Sequence, residues 1–382
     1  MASVAPASSS GTGNRLISLD VFRGITIAAM ILVNDPGNDQ AFGPLKHSEW
    51  NGWTLTDLIF PFFVFIVGVS LVLSTASRMG RGESKARLAL HALRRAVIIF
   101  AIGLFLYGFP HFVLSTWRIP GVLQRIAVCY FIATLLYLWT GPRIRWAVIV
   151  CSLISYWILM RFVPVPGYGI PTVNIPLLDP DKNLAAWLDR RLMMGHLYEG
   201  VRDPEGLLST LPAIGTSLLG VATGEWVRKF RDHSTDLLKR LTSAGIVLVT
   251  LGEAWGVFFP INKKLWTSSY VLLTAGLAML ALAACYWLID VRGWKGRWTI
   301  PALVFGTNAI VAYAFSELLA TCGYAFPVMH PGKQISWQKL IYSNVFVNLP
   351  PAWGSLVFSL LFVAVCFLPV WVLWKKKIFV KV

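Results

Sequence analysis

The sequence predicts an all-α polytopic membrane protein, a bundle of about ten transmembrane helices with both termini in the cytoplasm. Three observations carry that expectation. Hydrophobic residues make up 56% of the 382-residue chain and charged residues only 14%, where a soluble chain carries roughly a quarter charged. The apolar residues gather in ten runs of about spanning length. The basic residues divide unequally, 21 of the 34 Lys and Arg falling in one set of alternate connections, the asymmetry that marks cytoplasmic loops.

The ten runs cover approximately 19–35, 57–74, 94–109, 119–140, 145–162, 206–226, 241–259, 266–289, 298–321 and 352–374. Hydrocarbon offers no partner for backbone N–H and C=O groups, so each run must be helical. The shorter runs fit tilt or partial embedding within the bundle. One face receives Arg15, the 75–95 loop, Arg143 and Arg145, the 226–240 and 290–297 loops and the C-terminal tail. The other receives the loop bearing His47 and two longer segments, 163–205 and 322–351, rich in Pro, Gly, Asn and Trp. Segments of that length serve as binding loops or as connectors. Residues 1–14 are rich in Ser, Ala and Gly and lack the basic start and apolar core of a signal peptide, so they read as a disordered tail. Residues 15–382 read as a single transmembrane domain.

A net charge of +16 invites a nucleic-acid reading, but its placement in alternate loops assigns it to the cytoplasmic membrane face, and no nucleic-acid partner is expected. The 17 Trp suit the interfacial belts of a chain whose partner is the lipid bilayer. Cys129, Cys151, Cys285, Cys322 and Cys366 show no CxxC or Cys/His spacing, so they read as small hydrophobes and no metal is expected.

Ionisable groups inside a membrane are costly and point to function. Asp20 and Arg23 are spaced i,i+3 near the start of the first run and can pair. Asn34 lies near its far end, roughly 21 Å along the helix from Asp20. Asp57 opens the second run, Arg125 lies about two turns into the fourth, Asn308 lies deeper in the ninth, and Glu253 and Glu317 belong to the far parts of the seventh and ninth. With His47, the groups Asn34, Asp57, Arg125, Glu253 and Glu317 share one half of the membrane, which suggests a polar cavity open to the outside. Structural ion pairs, Asp57 with Arg125 first among them, are the competing reading. His47, in Lys46-His47-Ser48-Glu49-Trp50-Asn51-Gly52-Trp53, carries the one side chain that titrates near neutral pH and can move a proton or accept an acyl group.

These residues resemble a known family. The run from Arg15 through Asp20 and Arg23 to Gly24, then Val33-Asn34, then Lys46 to Thr54, then Asp57 to Gly68, looks like the catalytic region of heparan-α-glucosaminide N-acetyltransferases. Arg118 to Arg125, Asp203-Pro-Glu-Gly206, Asn262-Lys263-Lys-Leu-Trp266, Gly306-Thr-Asn308 and Glu317 look like further blocks in the same order. The resemblance covers roughly 15–370. It implies transfer of acetyl from cytosolic acetyl-CoA to an amino sugar across the membrane, with His47 at the active-site His position and Asn34 at its neighbouring Asn. The lysosomal members precede the bundle with a lumenal domain and an extra span, where this chain has a short tail. The expected acceptor is therefore a glycan or amino sugar that need not be heparan sulfate, and the expected setting is a bacterial inner membrane.

On this reading His47 is the general base or a transient acetyl carrier, Asn34 stabilises the developing oxyanion, and Asp57 or Glu49 orients the imidazole. Arg23, Asp20, Arg125 and Asn308 are expected along the acetyl-CoA path, and Glu49, Trp50, Glu253 and Glu317 around the acceptor. A homodimer is compatible with the sequence. The rival reading is a permease for sugars or other small molecules. Inverted internal symmetry would favour it, and none is detectable.

Overall fold

The computed structural model describes residues 16–330, 333–346 and 348–380; the tail at 1–14 lies outside them. The described residues hold thirteen α-helices, a 3-10 turn at Gly43–Leu45 and one antiparallel pair of three-residue strands, Val328–His330 with Lys333–Ile335. In chain order the α-helices are α1 (Ile17–Asn34), α2 (Leu55–Met79), α3 (Lys85–Gly108), α4 (Val122–Trp139), α5 (Pro142–Phe162), α6 (Leu184–Met193), α7 (Leu207–Lys229), α8 (Ser234–Gly256), α9 (Ser268–Tyr286), α10 (Thr299–Thr307), α11 (Ala309–Ala325), α12 (Trp337–Val345) and α13 (Pro351–Lys375).

Eight of these, counting α9 with its π-turn extension to Val291, are long and apolar enough to cross a membrane. The pair α10 and α11, bent by 85° at Asn308, makes a ninth crossing if taken as one span. Ten comparable spans were expected, and the difference falls on the 241–259 segment. It is the second half of α8, whose first turns carry Asp236, Lys239 and Arg240 and dilute its apolar character. This helix nonetheless runs antiparallel along α9, Gly245 packing near Gly276 and Gly252 near Leu273, and turns Ile246, Val247 and Leu251 outward.

Small residues let the helices meet backbone to backbone, the usual device where lipid removes the hydrophobic drive between spans. A Cβ on Gly24 would lie 1.7 Å from the Ala302 carbonyl oxygen, and one on Gly306 would lie 2.1 Å from that of Asp20. These two positions lock α1 to α10. Gly68 and Gly220 lock α2 to α7 in the same way, at 2.1 Å from Ser217 O and 2.2 Å from Phe65 O.

The connections sort onto two faces. Ser18 N donates to Asp290 (3.2 Å), Arg228 to the Tyr137 hydroxyl (3.3 Å), and Arg145 pairs with Glu225. These contacts join helix ends beside the basic loops. On the opposite face Tyr156 donates to Leu265 O (2.6 Å), Tyr270 to Asp57 O, and Arg118 pairs with Asp203. We call these the basic face and the His47 face. Ser84 and Glu49 are exposed, one on each. With the native cysteines removed, single cysteines at these positions are expected to react with an impermeant maleimide from opposite sides of a sealed vesicle. Reaction from one side would overturn the topology.

Candidate active site

Helix α2 begins with Thr54 as its N-cap and Asp57 at N3, a capping box in which side chains satisfy the orphan N–H groups of the first turn. Asp57 Oδ2 accepts from Thr54 N (3.0 Å), Thr54 Oγ1 (3.2 Å) and Ser48 N (3.0 Å). Its other oxygen lies 2.6 Å from His47 Nδ1. The Asp57 side chain is fully buried, while that of His47 is 44% exposed. A carboxylate on Nδ1 holds the proton there, which leaves the lone pair on Nε2. The same carboxylate thus starts a helix and orients an imidazole.

A second loop completes this corner. Lys263 Nζ lies 3.2 Å from His47 Nε2 and 3.4 Å from Nδ1. Burial pushes the Lys263 amine below its ordinary value, while Glu205 and then Asp57 draw it back up. The His47 loop is pinned to the Lys263 loop by Gly52 N to Ile261 O (2.8 Å) and Asn262 Nδ2 to Asn51 Oδ1 (3.2 Å). Gly52 turns with φ +99°, a conformation that glycine adopts without strain. Trp50 anchors the far side. Its indole donates to Leu178 O (2.8 Å), and Arg202 and Lys264 lie over its ring at 5.2 and 5.8 Å. Trp50 is therefore half-buried packing beneath the loop, and Glu49 next to it is exposed.

Asn34 belongs to a neighbouring group. Its Nδ2 donates to Glu317 Oε1 of α11 at 3.4 Å. Glu253 is placed apart, exposed on α8, where it accepts from Trp53 Nε1 (3.2 Å).

Arg125 does not reach Asp57. It donates to Gly206 O (3.2 Å) and to the Ser209 hydroxyl, and stacks 4.9 Å over Trp266. Its depth was legible, but the side of α4 on which it points was not. A buried Arg–carboxylate cluster of this face centres instead on Arg118, a loop residue, which donates to both oxygens of Asp203 (2.9 and 2.8 Å) and to Glu205 (2.6 Å) between the Tyr107 and Tyr198 rings. Arg118 and the Asp203-Pro-Glu block both stood out in the sequence without a role. Two carboxylates two residues apart in a segment facing the membrane surface were the available signal.

At the basic face, Arg23 donates to Asp20 (3.1 Å), Ser70 Oγ (2.6 Å) and Gly306 O (3.2 Å). These groups line a cavity of about 450 Å³ between α1, α2, α3, α4 and α10. Arg95 lines it too, stacked 5.0 Å over Tyr130 with its buried Nε–H unpartnered. Asn308 is not in the wall. It sits at the α10–α11 break, where its amide accepts from Val380 N (2.9 Å) and donates to Ile378 O (3.1 Å), clamping the C-terminal segment across the cavity rim. Next to the cavity, a small apolar void of about 10 Å³ lies between Met30, Phe63, Val122, Ile310 and Tyr313. Tyr313 lies one turn before Glu317.

Fold and site together define an all-α polytopic membrane protein with a carboxylate-oriented imidazole at one face and an arginine-lined cavity at the other. Comparison with known proteins supplies the family. A family profile described as heparan-alpha-glucosaminide N-acetyltransferase, catalytic, matches residues 15–259. The mouse heparan-alpha-glucosaminide N-acetyltransferase is 32% identical over 434 aligned residues, covering 99% of this chain and 62% of the mouse protein. The human protein of that name is 33% identical over 361 residues, covering 80% of this chain and 53% of its own length. The chain belongs to the heparan-alpha-glucosaminide N-acetyltransferase family, and it spans less than two thirds of the length of these relatives.

Proposed function

We propose that residues 15–382 form one transmembrane acetyltransferase unit that takes acetyl from acetyl-CoA at the basic, cytoplasmic face and gives it to an amino sugar or glycan at the His47 face. In a bacterial inner membrane that face is periplasmic. The observation that carries this reading is the His47–Asp57 pair. An imidazole whose Nδ1 is held by a buried carboxylate presents Nε2, here beside Lys263 Nζ, as the nitrogen that can accept a proton from the acceptor.

As the acceptor nitrogen or oxygen attacks the thioester carbonyl carbon, His47 Nε2 removes its proton. The new C–N or C–O bond forms and the C–S bond breaks. The CoA thiolate leaves and takes the proton back from the imidazolium. Asn34 Nδ2, and Lys263 Nζ beside the imidazole, are the donors available to the carbonyl oxygen as it gains charge. In the ping-pong variant His47 Nε2 attacks the thioester first and carries the acetyl group to the acceptor.

The donor side rests on charge and shape. Arg23 and Arg95 place two guanidinium groups in the basic-face cavity, suited to the phosphates of CoA. The phosphates cannot cross the hydrocarbon. Only the slender thioester arm need pass the void at Met30 and Ile310 to reach Asn34, about 16 Å along α1 from Arg23.

Ile310→Trp fills that void. In sealed vesicles given acetyl-CoA on the basic face only, it is expected to abolish transfer to an outside acceptor while leaving acetyl-CoA binding at the basic face measurable. Transfer at the unaltered rate would overturn the path. A requirement for acetyl-CoA on the His47 side would overturn the two-faced scheme. Sugar counterflow without acetyl-CoA would select the permease.

A further inference from the structure

A second cavity lies apart from the residues used above. It occupies about 510 Å³ between α11, α12 and α13 at the His47 face, within the roughly 300–1,000 Å³ usual for ligand pockets. Its walls are almost wholly hydrocarbon, Leu319, Phe326, Ile341, Phe358, Phe362 and Val365 among them. Its α13 wall runs from Phe358 to Val365, about 10 Å of that helix, and Val365 lies about 20 Å from the helix start. Beside it α13 turns Leu360 and Leu368 outward, each about half exposed, as a surface against lipid would be.

Among the described residues, one carboxyl group lines this cavity. Asp35 is 7% exposed. Burial, then the nearby Glu317, pushes its carboxyl up to about 8. Near neutral pH it is mostly an uncharged acid, able to donate one hydrogen bond into apolar surroundings. Asp35 directly follows Asn34, which bonds Glu317, and Glu317 stands three residues before Ala320 of the cavity wall. The polar end of the cavity is thus continuous with the Asn34–Glu317 group.

A soluble sugar has no use for a deep hydrocarbon slot beside the acceptor groups. We propose that the slot takes the alkyl chain of an amphiphilic acceptor, so that the glycan acetylated here is lipid-linked and enters sideways from the bilayer, its head at Asn34 and Glu317 and its linkage oxygen on Asp35. This rests on the acetyl-transfer reading for the fate of the head group; the bonds made and broken are unchanged.

The test compares glucosamine with dodecyl glucosaminide as acceptors in lipid nanodiscs with acetyl-CoA. Wild-type kcat/KM is expected to favour the dodecyl compound by at least about tenfold, a factor that two buried methylene groups suffice to give. Ala320→Trp, which fills the slot, is expected to remove that preference. A second measurement is independent of turnover. A glucosaminide with a diazirine in its alkyl chain is expected to crosslink to α11 or α13 peptides and to be displaced by dodecyl glucosaminide but not by phospholipid. Equal use of both acceptors, an unchanged preference in Ala320→Trp, displacement by phospholipid, or crosslinks confined to other helices would each overturn the lipid-linked acceptor. If neither compound is acetylated, the acetyl-transfer reading fails, and crosslinking still decides what the slot holds.

Discussion

His47→Ala is expected to reduce acetyl transfer by about 10²- to 10⁴-fold, the usual contribution of a positioned general base, and to the background level if His47 carries the acetyl group itself. The readout is the rate of N-acetylglucosamine formation from acetyl-CoA and glucosamine, followed by mass spectrometry. Sequence alone treats His47 as a loop residue with little packing to lose. Its bond to the fully buried Asp57 raises the cost, because a hydrogen bond to a charged group contributes roughly 1.5–3 kcal/mol. Three donors remain on Asp57, so the variant should still purify as a folded protein with acetyl-CoA binding intact. Unaltered transfer would make His47 a loop anchor. An acetylated imidazole trapped by rapid acid quench would select the ping-pong route.

Arg118→Ala is expected to damage the fold severely. It removes the cation paired with Asp203 and Glu205, whose side chains are 0% and 8% exposed. Breaking a buried ion pair by removing one member costs roughly 3–5 kcal/mol. The expected result is a large loss of folded yield by fluorescence-detected gel filtration, with a lower melting temperature for what remains. Arg118→Leu combined with Asp203→Asn and Glu205→Gln removes the stranded charges and should recover much of that yield. A stable Arg118→Ala, or no recovery in the triple variant, would show that the cluster does not hold the loops together.

The helices were legible because lipid imposes one rule on backbone and one on composition, and both leave long apolar runs. Where a run is diluted by charge, as at the start of α8, the rule gives a boundary too far inward. Where a run continues through a break, as across Asn308, it gives no sign of the 85° bend; no proline marks the place, and the bend shows only in the folded chain. The depth of a polar residue follows from its position along a span. Its azimuth does not, and so Arg125 was set against Asp57 when it points to Trp266 and Ser209. Asp57 came within view of His47 because a capping carboxylate sits ten residues away across one tight loop. Lys263 stands 216 residues from His47 in the chain, a separation that no local pattern bridges. Trp50 was drawn toward the acceptor by its neighbourhood alone, and its indole is spent on Leu178.

The glycine contacts that join α1 to α10 and α2 to α7 bear on how matter can move through this protein. With carbonyl oxygens and α-carbons in direct apposition, there is no layer of side chains to slide or shear between these helices. Rocking one half of the bundle against the other would first have to part those seams. On the acetyl-transfer proposal, the donor's thioester arm, rather than one half of the bundle, would then be the part that moves past these helices. Turnover in such a device should be limited by diffusion of the arm or by bond making, and should tolerate chemical crosslinks across the glycine seams that would arrest a carrier working by alternating access.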